Sequence, residues 1–169
     1  FFGVLVLPDL TFGFSDTVLD ILGETGKKNI EEFVKKGGTV VSSGKSSYIL
    51  EKIGLLSEGT VSKDVIVKHS SNRAKLNWVE NNSFENNLLK IGTVPDNDKE
   101  VYSYFLSSYL MDSSHDLELN EVASFSMTDE SGFVFQDSSS MELIEPPAES
   151  MSAIAWKNFG DGNVVLLNS

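Results

Sequence analysis

An α/β fold, with a mostly parallel central sheet flanked by helices, is what the 169-residue sequence predicts. Two observations carry this. Residues 1–56 read strand, helix, helix, strand, helix, and parallel strands need crossover connections of that length. The chain then closes on two apolar runs around Gly160-Asp161-Gly162, a hairpin signal. Between them lies a β-rich middle region, residues 57–150. No internal repeat and no long linker divides the chain, so residues 1–169 read as a single domain: a parallel α/β part (1–56), a β-rich continuation (57–150) and a closing hairpin (151–169).

Each element has a local cause. Residues 2–7 are a near-continuous apolar run, the mark of a strand buried on both faces, and Pro8-Asp9 ends it. Ser15 or Asp16 can cap a short helix through Leu22, with Gly23 as its stop. Lys27 to Lys36 places Ile30, Phe33 and Val34 on one helical face, and Gly37-Gly38 supplies the left-handed cap. Thr39 to Ser42 is a second apolar strand. Ser46 or Ser47 can cap the next helix, whose Ile49, Leu50 and Ile53 face inward before Gly54. In the middle region, residues 65–67, 76–79, 101–111, 122–126, 133–135 and 141–144 read as short strands separated by turn-rich stretches. Ser152 to Phe159 and Asn163 to Leu167 form the closing hairpin.

Bulk properties exclude several classes. A net charge of −12 argues against a nucleic-acid or anionic-membrane binder. No apolar stretch approaches the length of a membrane span, and no signal peptide is visible. With no Cys, disulfides, thiolate metal sites and Cys nucleophiles are excluded together. Both apolar ends read as buried strands, which suggests a piece of a longer polypeptide. Asn81-Asn82-Ser83 is a glycosylation sequon, making Asn81 a candidate acceptor. The sequence does not fix the compartment; the sequon and the lack of Cys point to an extracellular or secretory-pathway lumen setting. No cofactor is implied. Asp96-Asn97-Asp98 lacks the Gly and the acid spacing of a calcium loop, and reads as a solvated acidic turn.

Gly44-Lys45-Ser46 has the ending of a phosphate-binding loop. That loop needs its first Gly five residues before the second, where Thr39 stands. Val40 and Val41, strand residues, fill the space the loop would occupy. The nucleotide reading therefore fails. The same stretch fits a strand, a tight turn and an immediate helix, the construction of a nucleophile elbow.

Four stretches then resemble one family: "VLVLPD" (4–9), "IEEFVKKGGTVVSSG" (30–44), "KSSYILEKIGLL" (45–56) and "AIAWKNFGDGNVVLLNS" (153–169). In order and spacing the chain resembles the class I glutamine amidotransferase-like superfamily, including its intracellular-protease-like and ThuA-like branches. The resemblance covers less than half of the chain. It implies a flavodoxin-like fold. It also places the family's catalytic Cys on Gly44, which offers no nucleophile, and the following residue, often His, on Lys45. The amidotransferases' catalytic His would fall just past Ser169. The resemblance thus implies a pseudoenzyme.

Three functions follow as expectations. The leading one is a non-catalytic structural or protein-interaction module within a larger protein or assembly, with protein partners or the rest of the parent chain around it. The second is a serine hydrolase using Ser43 or Ser46 with His69 or His115, since a Ser nucleophile needs a base within hydrogen-bond reach. His115 lies among acids that could orient it. Against this, serines at a helix start serve as N-caps. The third is a small-ligand or carbohydrate module, with Gly44, Lys45 and Ser46 at the strand ends as ligand candidates. Lys45 could hold an anion or be a solvated surface lysine. Trp156 and Phe159 could stack a sugar, or Trp156 could pack in the core.

Overall fold

The computed structural model describes residues 3–10, 14–78, 101–105, 107–127, 131–146 and 150–168. Asn81 and the Asp96-Asn97-Asp98 turn lie outside them. The first unit is β1 (Val4–Leu7), α1 (Phe14–Lys35), β2 (Thr39–Ser43), a single 3-10 turn at Gly44–Ser46, and α2 (Ser47–Lys52). Within α1, Gly23 at φ 55°, ψ −176° is non-helical and divides the span into two helical stretches, as the sequence predicts. Ile30, Phe33 and Val34 on the second stretch resume the core-facing stripe of Val18, Leu19 and Leu22 on the first. Gly37, at φ 100°, closes the helix. Its N–H bonds Val34 O at 3.0 Å, and Gly38 N–H bonds Phe33 O at 3.0 Å, the Schellman pattern.

Apart from a 3-10 turn at Ser113–His115, the regular elements of the described residues beyond α2 are strands. They run β3 (Val61–His69), β4 (Arg73–Trp78), β5 (Val101–Tyr104), β6 (Ser107–Met111), β7 (Asn120–Ser126), β8 (Phe133–Asp137), β9 (Leu143–Ile144), β10 (Ser150–Phe159) and β11 (Gly162–Leu167). The apolar run 101–111 is therefore two strands, interrupted at Phe105, whose N–H turns aside to Asn72 O at 3.1 Å. These strands form two sheets. One has seven strands in the order β1-β2-β11-β10-β7-β4-β5, and the other has four in the order β6-β3-β8-β9.

The expected flavodoxin-like α/β fold is overturned by this topology. β2 pairs in parallel with β1 and with β11. The other pairings in both sheets are antiparallel. The protein is mostly β, with two sheets, rather than a parallel sheet flanked by helices. The reason lies after residue 56. The described residues there contain no helix long enough to carry a crossover, and the short returns of β8–β9 and β10–β11, the latter through Gly160-Asp161, force antiparallel pairing.

Alternation sorts the seven-stranded sheet into two faces. Val40, Ala155, Val164 and Leu166 face the main core with α1, α2 and the inner residues of the smaller sheet. At its centre, Phe105 packs edge-on against Phe125 and Phe133, with ring centroids 5.2 Å apart in each pair. On the other face Val41, Val165 and Trp156 share one row of the register and pack with Val122. The row continues to Val6, and there on β1 both Val4 and Val6 are exposed.

Candidate functional site

The Gly44 turn sits where β2 ends against the end of β1. Gly44 takes φ 52°, the left-handed conformation an elbow demands. The space beside it is already filled. A Cβ at Gly44 would collide with the Asp9 carboxylate, and Asp9 Oδ1 accepts the Lys45 N–H at 2.8 Å. A carboxylate of the chain itself therefore holds the backbone donor that an elbow would present to a substrate anion. Gly44→Ala should accordingly destabilise by roughly 1–3 kcal/mol through positive φ alone, with the collision added. A urea titration reads the loss.

The serines are bound into the turn. Ser42 and Ser47 hydroxyls lie 2.9 Å apart. The Ser46 hydroxyl accepts Ser43 N–H at 3.1 Å and lies 2.8 Å from the carbonyl oxygens of both Leu7 and Ser43. Ser42, Ser46 and Ser47 are buried. Lys45 is not the solvated lysine that sequence suggested; it too is buried. Burial holds its ammonium below the ordinary lysine range, Asp9 opposes that shift and Lys68 adds to it.

Neither histidine joins these serines in any described hydrogen bond. His69, on β3, is buried and committed to the smaller sheet. Its Nδ1 accepts Ser71 N–H at 3.3 Å, which leaves Nε2 to donate to Ser131 O at 2.9 Å. Its ring stands edge-on to Phe133, with centroids 4.7 Å apart. His115 is half exposed, and its Nδ1 lies 3.4 Å from Asp112 Oδ2. Among the described residues no group of His, Asp or Glu is placed to hold a metal ion. Trp156 is buried in the second apolar cluster, so it offers no open ring face for a sugar.

Sequence reading missed the best-built polar site. Asp116 and Lys157 are both buried and pair at 2.8 Å. Asp116 Oδ2 also accepts Ser57 N–H at 2.9 Å, and Oδ1 accepts Glu118 N–H at 3.2 Å. Burial pushes this carboxyl upward, but the Lys157 ammonium and the Ser57 and Glu118 N–H groups outweigh it and hold it below the usual carboxylate range. A signal was present: Lys157 stands inside the apolar run of β10, beside Trp156, where a charge needs a partner. Its partner lies 41 residues away in sequence, which no local pattern shows. The arrangement ties three segments together and presents no nucleophile.

No protein family and no curated protein matches the chain. Among solved structures it is similar to a cytoplasmic protein from Salmonella typhimurium, at 13% identity and a TM-score of 0.51. The match covers 97% of this chain and 58% of that one, so the chain spans little more than half of that protein's length. At such identity the likeness shows the fold alone. The resemblance to class I glutamine amidotransferases is not upheld. It rested on a strand–helix–strand–turn–helix unit that does form here, but the sheets around that unit are mixed and β-rich.

Proposed function

We infer that the chain is a non-catalytic module with a structural or protein-interaction role. The observation that carries this reading is the Gly44 turn: Asp9 occupies the space beside it and accepts the Lys45 N–H, the donor such a turn would offer a substrate. The hydroxyls of Ser42, Ser46 and Ser47 take part in hydrogen bonds within the turn or to β1, and both histidines are engaged elsewhere. Ser46 is thus tied into the turn, and no described hydrogen bond joins Ser43 or Ser46 to either histidine, which weighs against the serine-hydrolase reading. No described helix is long and apolar enough to cross a membrane.

Incubation with a fluorophosphonate probe tests this, because such a probe labels an activated Ser and ignores a hydrogen-bonded cap. The expected result is no labelling at any serine. Labelling of Ser43 or Ser46 that disappears on replacing His69 or His115 would overturn the reading and restore the hydrolase.

A further inference from the structure

The smaller sheet ends on β9, two residues long and paired on one side with β8. Residues 141–146 are all exposed. They include Leu143, 72% exposed, beside Met141 at 47% and Ile144 at 37%. Leu143 lies opposite Gln136 in the register, on the same sheet face as Val134, which is also exposed. Exposed apolar residues on an open sheet edge form a template for another strand.

The charges on β9 and in the turn that leads to it are of one sign, with Lys68 set back across β8, opposite Val134. Glu142 and Glu145 flank Leu143-Ile144, and Asp137 closes the turn that leads to them. The Asp137 carboxylate accepts the Ser139 hydroxyl at 2.6 Å and the Ser140 and Ser139 N–H groups at 2.8 and 2.9 Å. These donors, Ser139 first, pull its carboxyl down to about 2, so it stays ionised at any physiological pH. The turn is well tied: Met141 N–H bonds Asp137 O at 2.9 Å, and Asp137 N–H bonds Glu142 O at 3.0 Å.

The charges decide between occupants. A second copy pairing antiparallel on β9 would set Glu142 against Glu145 in both directions, and like charges directly opposite are destabilising. A chain carrying Lys or Arg at those positions would gain where a copy would lose. We propose that the β9 edge docks an extended segment of a partner protein, in which two adjacent apolar residues are flanked on both sides by lysine or arginine, by addition of a strand to the smaller sheet. This rests on reading the chain as an interaction module.

Fluorescence anisotropy with two labelled peptides tests it, one carrying a Lys-Val-Val-Lys core and one a Glu-Val-Val-Glu core in the same flanking sequence. The lysine peptide should bind and the glutamate peptide should not. Leu143→Asp is the decisive variant. Diffuse attraction to an acidic surface would strengthen when an acid is added. Strand docking should instead weaken at least about tenfold, since an apolar anchor is lost. Glu142→Lys with Glu145→Lys should reverse the preference toward the glutamate peptide. Both changes are at exposed positions, and far-UV circular dichroism confirms that the fold survives. Absence of lysine-peptide binding, binding unweakened by Leu143→Asp, or binding lost instead on Val6→Asp at the opposite sheet's edge would overturn the proposal. The fluorophosphonate result is independent of all three, so a failed peptide titration leaves the non-catalytic reading standing and the reverse also holds.

Discussion

Asp116→Ala should cost the fold about 3–5 kcal/mol, the usual penalty for leaving one member of a buried ion pair without the other. The variant leaves the Lys157 ammonium buried in β10, 2.8 Å from where its counter-charge was. It also strips an acceptor from the N–H groups of Ser57 and Glu118. Glu118, 3.6 Å from Lys157, offers partial compensation, but its side chain is largely exposed and its interaction screened. Urea unfolding should show a lower midpoint at unchanged slope. Lys157→Met combined with Asp116→Leu should recover part of the loss, because an apolar pair removes both buried charges together. A double variant no better than Asp116→Ala would assign the cost to the lost backbone acceptors instead.

The same carboxylate sets a dependence on pH. The folded-state pKa of Asp116 lies below its unfolded value, which is about 3.9 for an unperturbed Asp. Its contribution to stability is therefore fully present above that unfolded value and is lost as pH falls through the folded one. Stability of the native chain should drop with acid over that window more steeply than stability of Asp116→Asn, which has no proton to take up. Equal slopes for the two proteins would show that other carboxylates carry the acid transition.

Gly162→Ala should be comparably damaging, at about 3 kcal/mol or more, the upper end of the range for overpacking a close contact. A Cβ there would run into the backbone carbonyl oxygens of Gly38 and Val34. These are not flexible side-chain ends. Gly38 O accepts Asn163 N–H at 3.1 Å, and the neighbouring Lys35 O accepts Asp161 N–H at 3.1 Å. The tip of the β10–β11 hairpin thus supplies one donor to Lys35 O, a carbonyl of the last turn of α1, and another to Gly38 O just before β2. Moving the hairpin to admit a methyl group would break both bonds. Thermal unfolding should register the change directly; a Tm within a degree or two of the native value would mean that the hairpin tip is not docked on α1 as described.

How much of this was legible depends on how far apart the interacting residues lie. Up to Gly54, apolar spacing and glycine punctuation are local causes, and they gave β1, β2 and the helices nearly where they stand. Gly23 interrupts the helical span where its lack of a side chain predicts, and the stripe of Ile30, Phe33 and Val34 resumes beyond the break. The closing hairpin was equally plain, since Gly160 and Gly162 mark it from both sides. Pairing direction was not plain. Nothing local to residues 162–167 says that they slide between β2 and β10, so a parallel beginning was extended over a chain that is mostly antiparallel. The site divided in the same way. Gly44 at an empty elbow was visible as Gly-Lys-Ser, whereas Asp9 filling it and Asp116 reaching Lys157 are consequences of the fold.

That insertion of β11 beside β2 also imposes an order in time. Thr39 and Asn163 are neighbours across the parallel pair, yet 124 residues separate them in sequence. At the usual 5–20 residues per second, a ribosome spends roughly 6–25 s between delivering one and the other. Throughout that interval Val40 has no β11 to cover its flank, and the β2 edge nearest the sheet's future centre is unpaired. The β1–β2 unit must therefore wait, open and apolar, for β11 to arrive. The central sheet cannot be completed before β11 is made, and until then the β2 edge is open to mispairing.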